Sequence, residues 1–429
     1  MMKISSQQLA QRLSASLGAA AVTTDEIRLA AHAVDGIAPQ VMCAPSTAEQ
    51  LAATVKICSD AQATIAAWGG GTAMNLGNPP RSLDVVVKTS QLNQVIEHDP
   101  ANLTVSLQSG IALNALQAAL APQRQFIPID PPLPERSTVG GIVAANLNGP
   151  RRSSYGNVRD LVIGMKVVLA SGEIIKAGGK VVKNVAGYDM CKLFTGSLGT
   201  LGIVAEVTLR VAPIPAHSAT VIGTGTWAQA AQCANQLPRT KLLPSALFLR
   251  NGSINRSWQL AVSFDGFGET VARQVNELSA LAQPLGLTQE IIAGEKQRQL
   301  WQEIAGLSVS QDRLIYRVTV PRAALTQTVS TIVDWTNAEP ALEIASDVAM
   351  GTVWLGMPVN PGSVELFPRL IALAEQQRGH AMIFNAPTAL KQATDVWGPA
   401  PPAHALMRKI KQEFDPLGLL NPGRFVGGI

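Results

Sequence analysis

Three stretches of this sequence consist of residues with little or no side chain, and such backbone can hold an anion through its own N–H groups. The first is Gly69-Gly70-Gly71-Thr72-Ala73-Met74-Asn75, directly after the apolar run Ile65 to Trp68. Successive residues without Cβ let consecutive amides converge on one charge, and Thr72 and Asn75 add side-chain donors. That suits a pyrophosphate; a tight surface turn is the alternative. No Gly-Lys-Ser/Thr follows, so this is not a P-loop, and no Gly-x-Gly-x-x-Gly opens a helix here. The second stretch is Ser137-Thr138-Val139-Gly140-Gly141-Ile142-Val143-Ala144-Ala145-Asn146, preceded by Pro131-Pro132 and followed by Gly149 and Tyr155-Gly156. Its small residues permit a flat or elongated ligand to approach the backbone. The third is Lys183-Asn184-Val185-Ala186-Gly187-Tyr188-Asp189, then Gly196-Ser197-Leu198-Gly199-Thr200-Leu201-Gly202-Ile203.

Other chemistries find less support. Cys43, Cys58, Cys191 and Cys233 lie far apart in sequence, which argues against zinc ribbons and iron–sulfur clusters; no metal is expected. Arg378-Gly379-His380 sets an imidazole beside a guanidinium, able to bind a carboxylate and accept a proton. The alternative is a surface Arg and a structural His at a strand start. His32, His98, His217 and His404 have no companions and read as structural or exposed.

The whole chain must bring these segments together. Its 429 residues, 47% hydrophobic and 15% charged, read as globular and long enough for two or three domains. A formal charge of +4 without a basic run gives no nucleic-acid track. Met1 to Ala10 lacks the apolar core of a secretory signal, and no apolar stretch reaches membrane-spanning length, so a soluble, cytoplasmic protein is expected.

Residues 1–35 carry two helical patterns. A strand near Gln40 to Cys43 is then followed by a helix starting at a Ser46/Glu49 capping box. Strands are read at Ile65–Trp68, Val85–Val87 and Leu103–Leu107, with a helix at Ile111–Leu120. A hairpin turns at Ser171-Gly172, and an alternating strand runs from Ile203 to Val211, stopped by Pro213 and Pro215. From 214 to 398, strands through Trp258–Phe264, Leu314–Val320 and Val353–Met357 alternate with helices, which suits an antiparallel sheet with helices on one face. Pro399 to Pro402 precedes a last helix through Leu406 to Phe414.

In order and spacing, the three stretches resemble the FAD-binding domain of the vanillyl-alcohol-oxidase (PCMH) type, shared with D-lactate dehydrogenase and the flavin subunits of glycolate oxidase. The resemblance covers about residues 36–213, with 399–429 returning to that domain through the Asn421-Pro422-Gly423-Arg424 tail. It implies an α+β fold: a two-subdomain FAD-binding domain plus a smaller cap with an antiparallel sheet at 214–398. On the resemblance, Gly69 to Asn75 and Pro131 flank the pyrophosphate. Ser137, Thr138, Gly140, Gly141, Ala144, Asn146, Tyr155 and Gly156 line the adenosine and pyrophosphate side. Val162 and Ile203 meet the cofactor through backbone, and Arg424 contacts it. Members with covalent flavin often carry a His in the first loop; Gly71-Thr72 stands there, so the FAD is expected to be non-covalent.

Pro128-Ile129-Asp130-Pro131-Pro132 with Asn148-Gly149-Pro150-Arg151-Arg152, and Lys183 to Met190 ahead of Lys192-Leu193, resemble the E-type FAD subunits of bacterial glycolate oxidase. That implies partnership with a catalytic FAD-binding D subunit and an iron–sulfur F subunit, oxidation of a small 2-hydroxy acid, and membrane association at the inner face only through partners. Relatives that oxidise hydroxy acids carry a His-x-x-x-Gly-Asp-Gly-Asn-type stretch, and nothing like it exists here. The flavin therefore either oxidises substrate, with Arg378 and His380 as candidates, or relays electrons. A stand-alone D-lactate-type dehydrogenase and a scaffold without flavin are the alternatives.

Overall fold

The computed structural model describes residues 4–179, 188–251, 257–307, 313–336, 339 and 341–429. The motif residues Lys183 to Gly187 lie outside these.

Val85–Lys88 is apolar on successive residues because a central parallel strand is covered on both faces. It stands between Val41–Cys43 and Ile65–Trp68, parallel to both, and Val22–Thr23 closes the edge antiparallel. The helix Ala48–Asp60 buries Leu51, Val55 and Cys58 at helical spacing. Its cap differs from the expected Ser46/Glu49 box. Thr47 is the N-cap and accepts from the Gln50 amide at 3.1 Å, while Gln50 Oε1 takes the Ser46 N–H and hydroxyl. Two overlapping Ser/Thr-x-x-Glu/Gln registers exist, and the second satisfies both Ser46 donors.

The next sheet is antiparallel, in the order Val95–Asp99, Thr104–Gln108, Ile203–Arg210, Val162–Val168, Ile174–Gly178. Its expected hairpin turns where Gly172 adopts φ +84°, a conformation that glycine takes without a Cβ penalty. Leu113–Leu120 and Val139–Ala145 are helices whose apolar faces join Val105, Leu107, Val207 and Leu209 in one core.

An eight-stranded antiparallel sheet follows, in the order Thr288–Ile292, His217–Gly225, Trp258–Gly266, Ala246–Asn251, Glu343–Asp347, Thr352–Met357, Leu314–Thr319, His380–Asn385. The helices Trp227–Gln236, Gly268–Ala282, Leu325–Thr336 and Pro361–Gln376 pack on Leu260, Val262, Tyr316, Val318, Leu355 and Ile383. Successive strand residues face opposite ways, so Ile315, Met382 and Phe384 turn instead into the core of the second sheet. This is the expected α+β architecture with an antiparallel sheet, but the helices are not confined to one face: Gly294–Gly306 packs Leu300 and Ile304 on the other, against Ile222, Phe248 and Ala261. The final helix, His404–Phe414, leads into a tail that rejoins the first sheet. Ile65 N–H donates to Leu419 O, and Asn421 N–H donates to Ile65 O, each at 2.8 Å.

Candidate functional site

The three glycine-rich segments meet in one cleft at the ends of the first two sheets. Gly69 to Met74, Gly140, Gly141, Ala144, Ala145, Leu198, Gly199 and Ile203 line it, with Ser109, Asn421 and Arg424. The first segment leaves the strand Ile65–Trp68 and is held against the second by side chains: Thr72 Oγ1 lies 3.0 Å from Ser137 Oγ, which donates to Pro132 O at 2.8 Å. Two glycines are needed for this approach. A Cβ on Gly70 would stand 1.7 Å from Arg136 O, and one on Gly69 would stand 2.1 Å from Thr138 Oγ1. The backbone N–H groups of Gly70, Gly71, Thr72 and Asn75 find no protein acceptor among the described residues. Two further buried atoms lining the cleft lack partners, Ser109 Oγ and Arg424 Nε. Buried polar groups are rarely left unpaired, so a cleft walled by bare backbone and holding such groups fits a polar, elongated dinucleotide.

Not every expected residue lies on this cleft. Thr138 does line it while capping the helix Val139–Ala145, accepting from Gly141 N–H at 3.3 Å, whereas Asn146, which ends that helix in the left-handed region at φ +49°, does not. Asn75 and Pro132 line an adjoining hollow, and Asn146 faces a second pocket. Pro131 and Val162 line none of these cavities, and neither do Tyr155 and Gly156; Tyr155 Oη donates to Asp265 at 3.2 Å, across to the eight-stranded sheet. Arg424 gives Nη2 to Met74 O at 2.7 Å and to Leu76 O at 2.8 Å, so its described hydrogen bonds brace the loop. Arg378, exposed at φ +58° in the turn after Pro361–Gln376, does not join His380 at a site.

The second pocket, of about 230 Å³, lies where the eight-stranded sheet covers the segment Asn146 to Arg152. At ~30 Å³ per water volume it suits a ligand of a few heavy atoms. Arg152, Arg317, Asp347, Trp354, His380 and Phe384 line it. Arg317 enters from the strand Leu314–Thr319, on the face opposite Tyr316 and Val318. Its guanidinium carbon lies 5.8 Å from the Trp354 ring centre and 5.7 Å from that of Phe384. Neither the Arg317 nor the Arg152 guanidinium has a hydrogen-bond or ion-pair partner among the described residues, and the Nε of each is buried. Burial and the Arg152 charge push the Arg317 pKa down to about 10. Asp347 is 3% exposed, and burial raises its carboxyl to about 7 against the pull of Arg152. Its Oδ1 accepts from Met350 N–H at 3.1 Å. The pKa of His380, at the rim, is lowered by burial and by Arg317. Two guanidiniums without a hydrogen-bond or ion-pair partner, beside one protonatable carboxyl, can hold a small anion and accept a proton from it.

Arg317 and Asp347 escaped the sequence reading, and Arg152 entered it only within a motif. The signal was present in one case: Arg317 is the one charged residue of the strand Leu314–Thr319, set between the apolar Tyr316 and Val318.

Comparison with known proteins agrees with this geometry. The family model of a FAD binding domain matches residues 39–178, and that of the C-terminal domain of FAD linked oxidases matches residues 399–425. Glycolate oxidase subunit GlcE of Escherichia coli is 28% identical over 83% of this chain and 91% of that protein. Glycolate oxidase subunit GlcD of Bacillus subtilis is 34% identical over 57% of the chain, which spans only 55% of that relative's length. D-lactate dehydrogenase of Archaeoglobus fulgidus is 27% identical over 90% of the chain and 91% of that protein. Among solved structures, p-cresol methylhydroxylase with substrate bound superposes with a TM-score of 0.76 at 16% identity, covering 97% of this chain and 96% of that one; this shows the fold.

Proposed function

From a chain that carries the FAD binding domain and C-terminal segment of FAD-linked oxidases, we propose a flavin subunit of a heteromeric 2-hydroxy-acid dehydrogenase, with glycolate as the first substrate to test. The observation that carries this reading is the pair of unpartnered guanidiniums, Arg152 and Arg317, in a small pocket beside the cofactor cleft. An uncompensated buried charge costs several kcal/mol, and a bound carboxylate would offset that cost for both cations. In this reading the two guanidiniums hold the acid's carboxylate, Asp347 accepts the hydroxyl proton, and Trp354 and Phe384 exclude water. FAD, when bound, would supply the hydride acceptor; with a hydride lost from the carbon bearing the hydroxyl and the hydroxyl proton passed to Asp347, two electrons and two protons leave the acid and a 2-oxo acid results. Gly69 to Met74 and Gly140 to Ala145 would hold the dinucleotide without a covalent link.

Two relatives are named as subunits of glycolate oxidase, so in this reading electrons would leave through partner chains, here a second flavin subunit and an iron–sulfur subunit. Membrane association would come through those partners; no helix among the described residues is long and apolar enough to cross a membrane. The test is anaerobic titration of the FAD-loaded chain, alone and with its neighbouring-gene partners. Bleaching of the oxidised-flavin band by glycolate supports direct oxidation. Bleaching only with the partners present makes this flavin a relay, and no bleaching in either case rejects the reading.

A further inference from the structure

The glycine loop leaves the cleft through Met74-Asn75-Leu76, and buried cations from distant parts of the chain take all three carbonyls. Arg424 Nη2 binds the outer two, and Lys391 Nζ donates to Asn75 O. Lys391 also donates to both oxygens of Asp35, at 2.8 and 3.1 Å, and the two side chains are only 1% and 5% exposed. Asp35 is presented by a two-residue turn in which Val34 and Ile37 exchange both backbone hydrogen bonds at 3.0 Å. Asp35 and Gly36 there adopt φ +46° and +81°, the left-handed pair that an Asp-Gly sequence favours.

This arrangement is costly as mere packing. A buried ion pair is often no more stabilising than apolar residues of the same volume, and Asp35 adds a positive φ. Its product is orientation. A peptide unit is planar and trans, so pulling a carbonyl towards a cation turns the N–H of that unit the opposite way. Fixing Met74 O thus directs the Asn75 N–H away from Arg424, and that N–H has no protein acceptor among the described residues. Fixing Asn75 O restrains the next peptide unit in the same manner. Arg424 depends on the same carboxylate, since Asp35 is the charge that opposes its desolvation.

We propose that Lys391 and Asp35 are positioning residues for the dinucleotide: their ion pair, joining the N-terminal turn to the helix Thr388–Ala393, locks the exit of the glycine loop in its FAD-binding conformation. This rests on the cofactor assignment and not on the choice of substrate. The experiment measures FAD affinity by fluorescence and the thermal midpoint without flavin, for the full chain and for Asp35→Asn, Lys391→Met and the double variant. FAD uptake by the unaltered chain, measured first, tests the cofactor assignment separately. Asp35→Asn keeps a turn-competent Asn-Gly pair but strands the ammonium, so both midpoint and affinity should fall. The double variant removes both charges, so its midpoint should recover while its FAD Kd stays at least tenfold weaker than that of the unaltered chain. Recovery of affinity together with the midpoint would mean a structural role only and overturn the proposal. So would unaltered FAD affinity in all the variants.

Discussion

Arg317 separates binding from stability, because its guanidinium has no protein hydrogen-bond partner to forfeit. In Arg317→Met the aliphatic stem is kept between Trp354 and Phe384 while the charge goes. The two cation–π interactions that disappear with it span 5.8 and 5.7 Å, near the outer limit for such pairs, and are worth about 0.5–1 kcal/mol each. Against them stands the removal of a desolvated, unmatched charge, whose cost of several kcal/mol is shared with whatever solvent reaches it. The ligand-free protein should therefore be at least as stable as the parent. A hydrogen bond to a charged partner is worth about 1.5–3 kcal/mol, which corresponds to roughly 10- to 150-fold in affinity. The glycolate concentration that half-reduces the flavin should rise by that factor, with Arg152 still holding the other side of the carboxylate. Stopped-flow reduction against acid concentration and a thermal melt without acid give the two numbers. A variant that melts several degrees lower, yet saturates with glycolate as the parent does, would refute the reasoning. It would make Arg317 a structural side chain and leave the pocket without its carboxylate anchor.

Asp347 supplies a pH test. Its folded pKa of about 7 lies above the usual carboxyl value, so the folded state holds a proton that the unfolded chain releases near pH 4. That contribution to stability is fully present below about pH 4 and is lost as pH rises towards 7; Asp347→Asn should flatten melting temperature across this window in a pH series. Gly70→Ala places a Cβ 1.7 Å from Arg136 O, and since backbone must move, the variant should lose about 3 kcal/mol by denaturant titration and lose FAD retention on gel filtration. Lys411 donates to Asp415, Thr200 O and Leu420 O inside the tail. Lys411→Met leaves the buried Asp415 without its counter-charge, held only by the Leu419 and Leu420 amides, and should cost about 3 kcal/mol, with protease cleavage of the tail as the readout.

The cofactor cleft was legible in the sequence because bare backbone is itself the signal. Gly69 to Met74 needs no distant partner to be recognised, and the strand Ile65–Trp68 before it is uniformly apolar. The elements of the eight-stranded sheet were legible only where large apolar residues recur at every second position. Trp258, Leu260, Val262 and Phe264 recur at every second position, as do Leu314, Tyr316 and Val318, whereas Glu343–Asp347 and His217–Gly225 carry no such repeat of large apolar residues along their length. The pocket of Arg152 and Arg317 was the least legible part. Arg317 sits 165 positions from Arg152, and its lack of a counter-charge exists only once the sheet is folded over the segment Asn146 to Arg152. Local pattern favoured Arg378-Gly379-His380 because adjacency is all that a sequence displays. The positive φ at Arg378 turns that side chain to solvent while His380 remains at the pocket rim.

The same contrast explains why cofactor and substrate recognition need separate experiments in this fold. The dinucleotide cleft is made of backbone held in place by side chains behind it: Thr72 against Ser137, Arg424 on Met74 and Leu76, and Lys391 on Asn75. Substitutions there act through loop geometry and should change FAD affinity and stability together, unless charge is rebalanced. The pocket's two guanidiniums have no hydrogen-bond or ion-pair partners behind them, so Arg152 and Arg317 can be exchanged with little effect on folding. A set of variants in which FAD retention tracks stability at Gly70 and Lys411, while acid affinity is uncoupled from stability at Arg317, is what that division requires. If acid affinity at Arg317 also tracked stability, the two sites would share one rigid unit, and the pocket's unpaired charges would no longer point to an anionic substrate.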